Sequence, residues 1–313
     1  MMLVTLGLFV LGLVLITKGA DWFVESAVSI STKSGIPKVI IGATIVSFAT
    51  TAPEFTVSAI AAYLGQTDLT VGNAVGSAIC NIGLVLGSVI LVRAIPMDDP
   101  SFLQKGGFMV LSGLLLVIMT LDGTLTSVDG AILLMVFIAF LYYNYRLQSA
   151  IFKDEERIMD SMAGMRSDIL FFLLGSVCVI LGSRILIDAG TQIARWLGIP
   201  EIIIGLTLIA LGTSLPELIT AVSSTIKGHH DLAIGNILGA NTMDIALILG
   251  VSSQIRELPI QLQSIHYDFP VMILIMLLLV IFGITRRRFD RWEGGTILVI
   301  YLAYIVGLFV LYV

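Results

Sequence analysis

Three carboxylates, Glu54, Glu217 and Asp244, stand inside long apolar stretches of the chain. An ionised carboxylate near the centre of a bilayer costs at least about 3 kcal/mol on insertion scales, so one that is kept there needs a cation, a partner or a proton. Hydroxyl and amide side chains accompany them, namely Thr50, Thr51, Ser77 and Asn81 in one stretch and Thr213, Ser214 and Asn241 in the other. No histidine and no cysteine pair converges with these residues. The oxygen-rich set therefore favours a hard cation such as calcium or sodium over zinc or copper.

The spacing within each stretch indicates how the oxygens could point together. Thr50 precedes Glu54 by four residues, and Thr213 precedes Glu217 by four, so each pair lies on one helical face. A proline directly before each glutamate removes a backbone donor and clashes with the carbonyl four residues earlier, which predicts a kink that exposes carbonyls inside the protein. The carbonyl oxygens one turn before the threonines, expected to become further ligands, are those of Ser47 and Ala210.

The two stretches are copies of one another at a constant offset of 163 residues. Chance similarity between apolar helices matches leucine with isoleucine, and it does not match polar residues at one fixed offset. The residues matched here are Pro53 with Pro216, Glu54 with Glu217, Asn73 with Asn236 and Gly76 with Gly239. Glycines four apart, at 72 and 76 and at 235 and 239, are expected to let neighbouring helices approach closely. The chain therefore contains an internal duplication, and these residues are retained in both copies.

The composition places this duplication in a membrane. Hydrophobic residues make up 57% of the chain and charged residues 12%, with a mean hydropathy of +1.03, which leaves too little polar surface for a soluble protein. Runs of about 20 apolar residues predict spanning helices. The first half gives the runs 2–31, 36–64, 69–95, 106–121 and 127–147, and the second half gives 167–195, 199–227, 231–255, 268–285 and 291–312.

Two sets of five helices must enter the membrane from opposite sides, because five is odd. We therefore predict an all-α membrane protein of ten transmembrane helices arranged as two inverted five-helix repeats, residues 1–147 and 167–313, joined by a cytoplasmic linker, 148–166. Basic residues favour both termini outside the cell membrane. Outer loops then keep only Arg195 and Arg256, and the inner side holds Lys33, Lys38, Arg93, Lys105, Arg146, Lys153, Arg157, Arg166, Lys227, Arg286, Arg287, Arg288 and Arg291.

The segments TTAPE and GTSLPE, each followed by GNAVGSAICN or GNILGANTMD, resemble the two alpha-repeats of the sodium/calcium exchanger family, of the prokaryotic type, within the calcium/cation antiporter superfamily. The resemblance covers essentially the whole chain. It implies exchange of calcium against sodium by alternating access, with four clustered ion sites between the repeats. By position, it implies a calcium site of Glu54, Glu217, Thr50 and Thr213.

The resemblance also implies roles for the remaining polar positions. Sodium sites would use Ser77 with the Ser47 carbonyl on one side and the Ala210 carbonyl on the other. Asn81 and Asp244 would line the central site, and Thr51 and Ser214 would support it. The chain departs from the family pattern at three places. These are Ala49 in place of the usual glycine, Ala240 where a serine would complete a sodium site, and Asp244 opposite Asn81, which leaves potassium co-transport open.

The sequence thus predicts a cation antiporter, with no enzymatic activity, no cofactor, no nucleic-acid partner and no obligatory protein partner. Its partners are calcium, sodium and the lipid bilayer. Proton/calcium exchange and potassium-dependent exchange stay open as alternatives. A cation channel is disfavoured, because channels usually build pores by repeating subunits around an axis, whereas an inverted pair suits alternating access. Calcium flux separates these functions, since exchange needs a sodium gradient, proton exchange needs a pH gradient, and a channel needs neither.

Overall fold

The computed structural model of this chain describes residues 2–36, 38–97, 99, 101–151, 164–197 and 214–312, and these ranges contain ten helices. The helices of the first half are α1 (Met2–Ser34), α2 (Lys38–Leu64), α3 (Thr67–Val92), α4 (Phe102–Met119) and α5 (Ser127–Ile151). Those of the second half are α6 (Met165–Trp196), α7 (Leu215–Ile226), α8 (His230–Ile255), α9 (Ser264–Thr285) and α10 (Arg291–Tyr312).

Nine of the helices in the described ranges are long and apolar enough to cross a membrane, and α7 is a shorter apolar helix. The residues directly before α7, 198–213, lie outside the described part of the chain. Nine of the ten predicted runs coincide with the observed helices to within a few residues, as for α3, predicted over 69–95 and observed over Thr67–Val92. Of the run predicted over 199–227, the structure describes the part that forms α7. The prediction of an all-helical membrane protein with five helices in each half is confirmed.

Two short strand pairs join the halves. β1 (Ile95–Pro96) pairs antiparallel with β4 (Arg288–Phe289), and β2 (Thr124–Leu125) pairs antiparallel with β3 (Leu258–Pro259). Ile95 and Leu258 are related by the repeat offset, so each pair takes one strand from either half. The two pairs occupy equivalent places in the duplication, as the packing of an inverted repeat requires.

The long helices α1 and α6 pack antiparallel through glycines. A Cβ atom added at Gly12 would lie 3.0 Å from the carbonyl oxygen of Gly182, and one at Gly19 would lie 2.9 Å from that of Gly175. Backbone therefore contacts backbone along the pair, which only glycine permits. Polar contacts hold both ends: the Thr5 hydroxyl donates to Gln192 Oε1 at 2.8 Å, and Lys33 Nζ lies 2.7 Å from Asp168 Oδ2.

Helices α3 and α8 form the centre of the molecule. The most apolar stretch of α8 is 94% buried, whereas that of the peripheral α10 is only 17% buried. The end of α3 packs on α10 where Gly87 meets Gly294, and the end of α8 packs on α5 where Gly250 meets Gly130. Because α3 and α8 contact protein on nearly every side, their polar side chains need not face lipid.

The predicted close approach is confirmed at the glycines of α8 but not at Gly72 and Gly76 of α3, where no described atom of a neighbouring helix lies within 4 Å of an added Cβ. A side chain at Gly235 would collide with the backbone of Val39, and one at Gly239 would collide with the backbone of Ala43 and the hydroxyl of Ser47. These contacts press α8 against the first part of α2. The stretch of the second half that corresponds to that part of α2 lies among the residues that are not described.

Three helices widen to π-helical geometry near the candidate ligands. The wide turns cover Gly42–Val46 in α2, Asn81–Leu86 in α3 and Met243–Leu249 in α8. A π-helical turn contains an extra residue and shifts the ladder of backbone hydrogen bonds, and such turns occur often at functional sites. In α2 the turn ends just before Ser47, and the helix then continues through Pro53 to Leu64.

Candidate cation site

Three helices bring the three carboxylates together inside the protein. Glu54 lies on α2, Glu217 on the first turn of α7 and Asp244 in the π-helical turn of α8, and each is only 1% exposed. Each lies close enough to the other two to sense their charge. Like charges that are buried together repel one another strongly in a low-dielectric interior, so this arrangement requires counter-charge from cations or protons.

Hydroxyl groups of α2 link the two repeats. Thr51 donates a hydrogen bond to Glu217 Oε1 at 3.3 Å. The Thr50 hydroxyl lies 3.3 Å from the carbonyl oxygen of Ser47 and 3.2 Å from Oδ1 of Asn236, and its single proton can go to one of them at a time. The lone pairs of the Thr50 oxygen remain available to a cation.

Equivalent positions of the two copies touch at the centre of the site. Asn81 Nδ2 donates to Asp244 Oδ2 at 3.4 Å, and Asn241 Nδ2 donates to the carbonyl oxygen of Ala78 at 3.1 Å. Both pairs are separated by 163 residues, which is the repeat offset. Residues related by the duplication can meet only where its pseudo-two-fold axis passes between them, so the site lies on that axis.

Several acceptor oxygens of this site receive no hydrogen bond from any residue that the structure describes. They are both carboxylate oxygens of Glu54, Oε2 of Glu217, Oδ1 of Asp244 and the amide oxygens of Asn81 and Asn241. An unsatisfied buried acceptor costs about 1–3 kcal/mol, and a charged one costs more. A calcium ion takes six to eight oxygen ligands, so it would satisfy several of these atoms at once.

The carboxylates cannot form such a site alone. Within the described ranges, no three His, Cys, Asp or Glu side chains approach one another closely enough to hold a metal ion. Neutral oxygens from hydroxyls, amides and backbone carbonyls must complete the coordination. Such a mixed, weakly held oxygen set is suited to ions that bind and leave, and it differs from the thiolate and imidazole sets of structural zinc.

The two halves of the site also differ in their hydroxyl groups, because one serine has no hydroxyl counterpart. Ser214 donates to the Ser77 hydroxyl at 3.5 Å. Thr51 is the counterpart of Ser214, but the counterpart of Ser77 is Ala240, which is fully buried and has no hydroxyl. Thr51 bonds to Glu217 instead. Of these two equivalent hydroxyls, Thr51 therefore bonds to a carboxylate of the other repeat, whereas Ser214 bonds to a hydroxyl of the other repeat.

Most of the residues named from the sequence occur in this region. Those in the described ranges are Ser47, Thr50, Thr51, Glu54, Ser77, Asn81, Ser214, Glu217, Asn241 and Asp244, all of them buried. The predicted ligands Thr213 and the carbonyl of Ala210 lie outside the described residues.

Two positioning residues were not predicted. Asn236 Oδ1 lies 3.2 Å from the Thr50 hydroxyl. Asn73 Nδ2 donates to the backbone carbonyl of Glu54 at 3.2 Å and to the Ser58 hydroxyl at 2.9 Å. The two asparagines are counterparts in the duplication. Their retention in both copies was the signal that could have identified them.

Comparisons with known proteins show the family to which the chain belongs. The sequence profile described as "Sodium/calcium exchanger protein" matches residues 4–146 and 167–310. The chain is 31% identical to the sodium/calcium exchanger MaX1 of Methanosarcina acetivorans, over 96% of this chain and 97% of that protein. It is 34% identical to the inner membrane protein YrbG of Escherichia coli, over 99% and 98% of the two chains.

A solved structure of the sodium-calcium exchanger NCX_Mj, soaked with 10 mM Na+ and zero Ca2+, superposes with a TM-score of 0.88. Its sequence identity is 31%, and the match covers 98% of this chain and 100% of the other. Other structures of NCX_Mj, soaked with Sr2+ or with Ca2+, match as well. A profile that matches both halves, together with relatives that match over nearly the whole length, shows that this chain belongs to the sodium/calcium exchanger family.

Proposed function

We propose that this protein is a secondary active antiporter that exchanges calcium for sodium by alternating access. The observation that supports this most directly is the group of unsatisfied buried oxygens of Glu54, Glu217 and Asp244, contributed by helices of both repeats. Three carboxylates offer up to three negative charges, which three sodium ions or one calcium ion with a proton would neutralise. An enclosed site that can hold either set of ions is the minimum that exchange requires.

The two repeats, 1–147 and 167–313, act as the inverted halves of this exchanger, and the linker 148–166 lies in the cytoplasm, with both termini outside the cell membrane. Calcium binds to Glu54 and Glu217 with the hydroxyls of Thr50 and Thr213. Sodium binds beside it, at Ser77 with the Ser47 carbonyl on one side and at the Ala210 carbonyl on the other. Asn81 and Asp244 line the centre, and Thr51 and Ser214 support the ligands.

Calcium uptake into proteoliposomes tests the coupling, with sodium, potassium and pH gradients imposed one at a time. We expect uptake only when sodium is concentrated inside the vesicles, because the sodium gradient supplies the driving force. Uptake that follows a pH gradient would replace sodium with protons as the counter-ion. Uptake with no imposed gradient would identify a channel, and a requirement for potassium on the sodium side would add potassium to the cargo.

The hydroxyl missing at position 240 should weaken one sodium site. In the variant Ala240→Ser, a hydroxyl oxygen is added at the position equivalent to Ser77, and we expect sodium activation to shift to lower concentration. Sodium holds its few ligands weakly, so one additional oxygen changes its affinity more than that of calcium bound to two glutamates. Ser77→Ala should shift the activation to higher concentration. An unchanged sodium curve for Ala240→Ser beside a large shift for Ser77→Ala would place residue 240 away from the sodium sites.

A further inference from the structure

Beyond the candidate site, α7 has a row of polar side chains that leads to its end. Thr220, Ser224 and Lys227 follow Glu217 at three, seven and ten residues, a spacing that keeps them on one side of the helix. Thr220 and Ser224 are fully buried, and Thr220 lies in the same group of lining residues as Thr50. The row begins beside the candidate ligands and ends at the surface.

Among the described residues, the buried hydroxyls without a hydrogen-bond partner are those of Thr220, Ser224, Thr225 and Ser252. Elsewhere in the helices a buried hydroxyl commonly donates to the carbonyl four residues earlier, at 2.7–2.8 Å, as in Ser112, Thr120, Ser183 and Thr242. The hydroxyls of Thr220 and Ser224 have no hydrogen-bond partner among the residues described. A buried hydroxyl without a partner is unfavourable. The cavity at Thr220 has no room for a water molecule in this structure, so these two oxygens could accept a water molecule or a cation only when the helices around them move apart.

Two carboxylates stand where the row reaches the surface. Lys227 Nζ lies 2.8 Å from Asp21 Oδ1 and 2.9 Å from Glu25 Oε1, both on α1. The side chains of Asp21 and Glu25 are 39% and 68% exposed, so solvent reaches them. A pair of exposed carboxylates raises the local concentration of cations. In this structure the ammonium group of Lys227 occupies the position that an arriving cation would take.

The first copy of the duplication has no such row. The counterparts of Thr220, Ser224 and Lys227 at the repeat offset are Val57, Ala61 and Leu64. The equivalent part of α2 thus forms a helix with apolar residues at these positions. The hydroxyls of Thr220 and Ser224 are therefore not needed for the helix to form. The row is specific to the half of the site that contains Glu217.

We propose that this row is the path along which sodium and calcium travel between the site and the Lys227 side of the membrane. Asp21 and Glu25 form its mouth, and the ammonium group of Lys227 is a tethered cation that closes the mouth until an ion displaces it. This inference rests on the exchange function proposed above, and it assigns a task to five residues that belong to none of the ion sites.

Removal of the tethered cation tests the mouth. In Lys227→Gln, the KM for calcium measured on the Lys227 side of oriented vesicles should fall about threefold to tenfold, because Asp21 and Glu25 are freed to attract calcium. The KM on the opposite side should stay unchanged. The fall should shrink as ionic strength rises, which a purely structural effect would not show. Leu64→Gln, at the counterpart position, is the matched control and should alter neither KM.

Apolar replacement of the hydroxyls tests the path. The double variant Thr220→Val, Ser224→Ala keeps the side-chain volume nearly constant, and it should slow calcium flux about tenfold while equilibrium calcium binding to the purified protein stays unchanged. Parent-like flux in this variant, or a KM change that is equal on both sides for Lys227→Gln, would overturn the path.

Thiol labelling provides a readout that does not depend on exchange. In a chain with Cys80→Ala and Cys178→Ala, a cysteine introduced by Ser224→Cys should react with a membrane-impermeant reagent added on the Lys227 side and not with reagent on the other side. Its matched control is Ala61→Cys, which should stay unlabelled from the Lys227 side. If the cysteine at position 224 is labelled but the protein shows no sodium-driven exchange, the proposed function is wrong and the proposed path stands. If the Ser224→Cys variant exchanges ions but resists labelling, the proposed path is wrong and the proposed function stands.

Discussion

The variants Glu54→Gln and Glu217→Gln are each expected to abolish sodium-driven calcium uptake. Glutamine keeps the shape of glutamate and removes the charge, and loss of one partner from a buried ionic group costs about 3–5 kcal/mol. Since each 1.4 kcal/mol is tenfold in affinity, calcium binding should fall by at least about 100-fold. Both side chains are 1% exposed, so solvent cannot screen the missing charge.

Folding must be separated from binding in this experiment. Both variants should remain monodisperse in detergent, because neither Glu54 oxygen has a hydrogen bond to lose within the described structure and because glutamine at 217 can still accept from Thr51. Calcium uptake is measured in proteoliposomes and calcium binding by titration calorimetry. Near-normal uptake by either variant would remove that glutamate from the site.

The variant Asp244→Asn is expected to spare calcium binding and to impair sodium binding. Three carboxylates balance three sodium ions, whereas one calcium ion balances only two, so the third charge is surplus in the calcium-bound state. An uncompensated charge in a low-dielectric interior is costly, so neutralising Asp244 should leave calcium affinity within about tenfold of the parent. Asparagine would also retain an acceptor for the amide of Asn81, which lies 3.4 Å from Asp244 Oδ2.

The affinities of the variants for calcium and for sodium test this second prediction. Calcium and sodium affinities are measured for Asp244→Asn beside Glu54→Gln and Glu217→Gln under the same conditions. The matched control is Asn81→Ser, which removes the neutral counterpart of Asp244 and should lower both affinities modestly. If all three carboxylate variants lose calcium binding equally, the charge argument is wrong and Asp244 is a full calcium ligand.

The ten helices and the pairing of the two halves could be predicted because their causes are local in the sequence. Apolar runs of spanning length show the helices, and a fixed offset shows the duplication. The offset also predicts contacts along the pseudo-two-fold axis, such as that between Asn81 and Asp244. The wide turn at Asn81–Leu86 left no comparable signal, because an extra residue in one helical turn depends on packing around it and not on the identity of the residues within it.

In the candidate site, too, some residues could be predicted from the sequence and some contacts could not. Glu54 and Glu217 are costly in a membrane and therefore conspicuous in the sequence. Asn236 is an ordinary polar residue of a central helix, and its contact with Thr50 arises only because α8 packs tightly against α2 at Gly239. The bond from Thr51 to Glu217 is likewise a consequence of three-dimensional proximity, and the sequence did not predict it.

The glycine contacts between α1 and α6 have a consequence for energy conservation by the protein. Where Gly12 and Gly19 bring backbone against backbone, we expect close packing to make the two helices move together as one rigid body. α1 also contacts α7, and α6 also contacts α2, so this body touches both helices that carry the glutamates. A rigid body that slides across the site uncovers one face only as it covers the other. In the exchange proposed above, no continuous column of water would then cross the bilayer, and slippage would not dissipate the sodium gradient.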